Sequence, residues 1–79
     1  MFWRLFSRAT RLNEQGNELS AKGSFTEAEA AYRRAAEADP QWSVPWYNLG
    51  LMFKSRRQWL DSLIHTKRAT ELDPTEADG

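Results

Sequence analysis

The feature that most constrains this chain is a period of 34 residues. Gly16 and Gly50 stand at that offset. So do Leu12 and Trp46, Leu19 and Phe53, Phe25 and Trp59, Ala35 and Ala69, Asp39 and Asp73, and Pro40 and Pro74. The copies end alike, in Ala-Glu-Ala-Asp-Pro at Pro40 and Thr-Glu-Leu-Asp-Pro at Pro74. Self-similarity at such a period marks a chain built from stacked supersecondary units, each too small to bury its apolar face alone. Within the second copy Trp46, Leu49 and Phe53 fall at i, i+3 and i+7, one stripe of a helix. Gly50 interrupts that helix at a cost of about 1 kcal/mol relative to alanine. A glycine there lets a neighbouring helix approach the backbone.

The stretch Trp46-Tyr47-Asn48-Leu49-Gly50-Leu51-Met52-Phe53 resembles the first helix of the tetratricopeptide repeat family. Two copies cover residues 9–42 and 43–76, leaving an apolar and basic extension at 1–8 and a tail at 77–79. The resemblance implies an all-α fold of two antiparallel helix-turn-helix repeats, a fragment of an α-solenoid. The first copy departs from the signature, with Leu12, Gln15 and Leu19 where the family carries Trp, Leu and an aromatic. In the second, Arg57 replaces Gly23, so its turn must strain or change. Ser62 replaces Ala28 and Thr66 replaces Tyr32. The back helix of the second copy should therefore pack less tightly, or against something else.

Periodicity and caps place helices at about 7–22, 26–38, 44–55 and 58–72. Ser24 or Thr26 can cap the second helix. Ser43 suits the third, with Pro45 in its first turn. Gly23 should end the first helix in the left-handed conformation. Pro40 and Pro74 forbid continuation of the second and fourth.

Phe2, Leu5, Phe6, Ala9 and Leu12 share a helical face, with Arg4, Arg8 and Arg11 beside it. One reading is an extension of the first helix that covers an open end of the core. The other is a short interfacial anchor, which makes a membrane surface a candidate partner. Arg4 interrupts the apolar run and no small-residue cleavage site follows, which argues against a signal peptide. No run reaches the ~20 residues of a membrane span. A cytoplasmic location is the expectation.

The chain has eleven basic and eleven acidic residues and no cysteine. Net charge argues for no nucleic-acid partner, and no disulfide or cysteine metal site is possible. Trp42, Trp46 and Trp59 fall at core or junction positions, which favours packing over base stacking. No phosphate loop or His-Glu-x-x-His occurs. Asp61, Ser62 and His65 lie on one helix face without the pocket a triad needs, so an i,i+4 Asp61–His65 pair is the better account. No cofactor and no catalysis are expected.

A binding surface remains. The resemblance implies a concave face lined by the first helix of each repeat, non-catalytic, holding a protein or peptide partner. The matching residues are Asn13 and Asn17, and Tyr47, Asn48, Leu51 and Lys54. Some family members clamp a C-terminal carboxylate there. Asn17 and Asn48 match two asparagines of that clamp, and Asn13 stands where its first lysine would be. The clamp's later basic residues belong to a third repeat. The alternative is self-association through open ends. Leu60, Leu63, Ile64 and Leu72 are more apolar residues than one hairpin buries. Leu63 and Leu72 should face outward, and Phe2, Trp3 and Phe6 pose the same problem at the other end. A homodimer would bury such patches.

Overall fold

The computed structural model describes residues 7–74. All regular structure among them is helical: α1 Arg8–Ala21, α2 Phe25–Ala38, α3 Ser43–Ser55 and α4 Trp59–Leu72. The chain divides into two units, Met1–Pro40 and Gln41–Gly79. α1 packs on α2 in the first, and α3 on α4 in the second. Each is an antiparallel helical hairpin.

Ser7 has extended dihedrals, and its hydroxyl accepts from the Thr10 amide at 3.2 Å. That is an N-cap, so α1 starts at Arg8. Residues 1–6, with Phe2, Trp3 and Phe6, lie outside the described residues.

Both hairpin turns use one device. The Ser24 amide donates to the Leu19 carbonyl at 2.9 Å, and the Gly23 amide to Ser20 at 3.0 Å. Thirty-four residues later Gln58 donates to Phe53 at 2.8 Å and Arg57 to Lys54 at 3.0 Å. These are the paired bonds of a Schellman motif, which needs one left-handed residue. Gly23 supplies it at φ 83 and Arg57 at φ 62. The second turn thus keeps its geometry and carries the strain of a side chain in that region.

Helix ends also repeat. Asp39 and Asp73 take nearly the same dihedrals, φ −143 and −146. Each precedes a proline, which pushes its neighbour out of the helical region. Ser43 is not the cap of α3. Trp42 is, without a side-chain bond, and Ser43 lies buried inside the first turn. Pro45, the third helical residue, has no N–H, so the first turn of α3 has one fewer donor for a cap to satisfy.

Ala28, Ala31, Tyr32, Ala35 and Ala36 form the buried face of α2, against Ala9 and Gly16 of α1 in the same hairpin. In the second unit the buried residues are Leu49, Met52 and Phe53 with Ser43, Pro45 and Gly50 on α3, and Ser62 and Ala69 on α4. No buried side-chain polar atom among the described residues lacks a partner. Among the same residues no helix is long and apolar enough to cross a membrane.

Candidate functional site

The signature glycines sit where helix meets helix, but the two hairpins fill the contact differently. A Cβ on Gly16 would lie 2.6 Å from the Tyr32 ring, so the ring rests flat on the α1 backbone. Its hydroxyl donates to Asn17 Oδ1 at 2.6 Å. Burial of that phenol raises its pKa above the ordinary value of a tyrosine.

In the second hairpin Thr66 takes the tyrosine's place. Its hydroxyl donates back to the Ser62 carbonyl at 2.8 Å, which leaves its methyl against Gly50. Ser62, where the first hairpin has Ala28, donates to the Gly50 carbonyl at 2.9 Å from a buried position. This bond ties α4 to the α3 backbone. It does not replace the volume of an aromatic ring.

The missing volume shows as a groove of about 360 Å³ along the second hairpin. Tyr47, Leu51 and Lys54 line it from α3, and Trp59, Ser62, Leu63 and Thr66 from α4. Both sets step along one side of a helix. Tyr47, Leu51, Trp59 and Leu63 are all exposed, leaving an apolar trough with Lys54 as the charged residue of its wall. A hollow of the first hairpin, lined by Arg8, Arg34, Glu37 and Ala38, is polar by contrast.

Of the six residues expected to face a ligand, Tyr47, Leu51 and Lys54 line this groove. The asparagines do not join them. Asn13 is buried on the same face of α1 as Ala9 and Gly16, so it offers no amide to a peptide. Its short polar side chain hides in sequence what its helical phase requires. Asn17 is exposed but already accepts the Tyr32 hydroxyl. Asn48 is half-buried and makes interactions of its own.

Trp59, expected in a core or junction, is 60% exposed and forms part of the groove wall. Its counterpart Phe25 is exposed too. The period ties the two together: matched residues share a phase, and this one faces out in both hairpins. Leu63 faces outward as expected, but Leu72 is half-buried. Leu60 and Ile64 are exposed on the same helix.

His65 is not paired with the Asp61 carboxylate. Its Nδ1 donates to the Asp61 backbone carbonyl at 2.8 Å, closing one helical turn. The ring lies 4.9 Å from Phe53 and 5.8 Å from Trp46, so it serves as an aromatic spacer between the helices. Trp46 is half-buried, with the Arg68 guanidinium 5.9 Å from its ring. No group of three or more metal-ligating residues occurs among the described residues. No protein-family model matches the chain.

Proposed function

We propose that this chain is a tetratricopeptide-type helical repeat acting as a non-catalytic protein-interaction module. Its peptide-binding surface is the groove of the second hairpin. The observation that carries this reading is the trough lined by Tyr47, Leu51, Trp59 and Leu63, with Lys54 in its wall. Apolar walls with a few polar groups are what a binding cleft needs. Apolar side chains of a peptide fill the trough, and Lys54 meets a carboxylate. The repeat assignment draws support from glycine contacts, Schellman turns and pre-proline exits that recur at the 34-residue offset. The asparagine-based carboxylate clamp loses support, because Asn17 already accepts the Tyr32 hydroxyl and Asn48 is half-buried.

Panning a displayed random-peptide library against the 79-residue chain tests the proposal. Recovered peptides should be apolar with an acidic residue. They should bind Leu51→Asp at least about tenfold more weakly, with helicity unchanged by circular dichroism. Peptides indifferent to Leu51 and Tyr47 would place the binding surface elsewhere.

A further inference from the structure

The two hairpins provide an internal control for the solvent face of α4. On α2 the corresponding positions are Thr26, Glu29, Ala30 and Arg33, with an Arg33–Glu29 ion pair at 2.7 Å. A hairpin of this design thus keeps a polar outer face. On α4 the same positions are Leu60, Leu63, Ile64 and Lys67. Leu60 is 70% exposed, Leu63 61% and Ile64 53%. Packing within the hairpin does not require these side chains. Contiguous exposed apolar surface of this kind marks an interface.

The order of residues along this face says what covers it. Leu60, Ile64, Lys67 and Glu71 follow at spacings of four, three and four, the seam of a helix that packs on another helix. Asp61 and Arg68 flank the seam. Inverting the sequence about Ile64 places opposite charges at matching levels. Asp61 of one copy comes beside Arg68 of the other, on the same edge of the seam. Ile64 meets its own equivalent at the centre, Leu63 lies beside it, and Leu60 runs along the aliphatic stem of Lys67. A surface complementary to its own inverse is what a two-fold interface demands, since each contact occurs twice. The Asp61 carboxylate forms no ion pair among the described residues, and the Arg68–Glu71 pair is long, at 3.8 Å, and exposed.

We infer that α4 is a self-association face. Two copies of this chain pair their fourth helices antiparallel about a two-fold axis at Ile64. The interface is distinct from the peptide groove, which opens on the adjoining flank of α4. Trp59 and Leu63 lie on the border between them.

Sedimentation equilibrium on the full chain tests this. The parent should be a dimer. Ile64→Glu should be a monomer with unchanged helicity, and a dimer that survives it would overturn the inference, as would a parent that stays monomeric at millimolar concentration. A charge-reversal pair adds a test that misfolding cannot imitate. Asp61→Lys alone and Lys67→Glu/Arg68→Glu alone should each raise the dissociation constant about tenfold or more, because each homodimer carries two like-charge contacts. Mixed, they should recover a heterodimer, since both contacts are then between opposite charges. Failure of the mixture to associate better than either variant alone rejects the antiparallel register.

Discussion

Arg57 and Gly23 show how one backbone position is met by two residues. Both sit in the left-handed region and both close a Schellman turn, but only glycine does so without strain. A side chain in that region costs on the order of 1–2 kcal/mol. Arg57→Gly should therefore raise the stability of the second hairpin by about 1 kcal/mol after glycine's larger unfolded-state entropy is counted. The comparison belongs in the Ile64→Glu background, where association does not contribute. A lower melting temperature there would mean that Arg57 is held by contacts that outweigh the strain. At Gly16 a methyl group meets the Tyr32 ring directly, so Gly16→Ala should cost about 1–3 kcal/mol in chemical denaturation despite alanine's better helix propensity. The same tyrosine sets a pH dependence. Its phenol is raised by burial, so the folded state holds the proton more tightly than the unfolded chain. That contribution is whole below the unfolded value of about 10 and is lost as pH rises through the higher folded value. Tyr32→Phe should flatten the alkaline limb of the melting profile, and an unchanged limb would assign it to other groups.

At the scale of the helix, α4 is α2 with its outer face rewritten. Giving α4 the residues of α2, as Leu60→Thr/Leu63→Glu/Ile64→Ala, should change the stability of the monomer by about 0.5 kcal/mol or less. Melts at low micromolar concentration measure this. A large loss would show that the leucines hold the hairpin rather than an interface. The helices themselves were legible in the sequence to within one residue, because Gly23, Pro40 and Pro74 act through local sterics and the period copies their effects. Ser43 was expected to cap α3 and lies inside its first turn instead, because whether a serine caps depends on the dihedral it adopts. Asn13, placed on the binding surface by the family resemblance, is buried, because its phase puts it beside Gly16. Tyr47, Leu51 and Lys54 were legible as surface. The trough between them and α4 was not, because it depends on the tyrosine that Thr66 replaces.

Taken whole, the chain consists of two units built to one plan, and its candidate functions lie where the second departs from the first. Thr66 for Tyr32 opens the groove, and Leu60, Leu63 and Ile64 create the exposed face. A chain of this size buries only about 60% of its unfolded surface, so apolar residues left outside have a high cost unless a partner covers them. The most direct test is to give the second hairpin the first one's filling. Thr66→Tyr with Leu51→Asn rebuilds the ring over Gly50 and its hydroxyl acceptor. The account predicts a variant as helical as the parent and at least as stable, whose binding of the selected peptides falls below detection in a calorimetric titration. Peptide affinity equal to the parent's, with the groove filled and the fold intact, would contradict it.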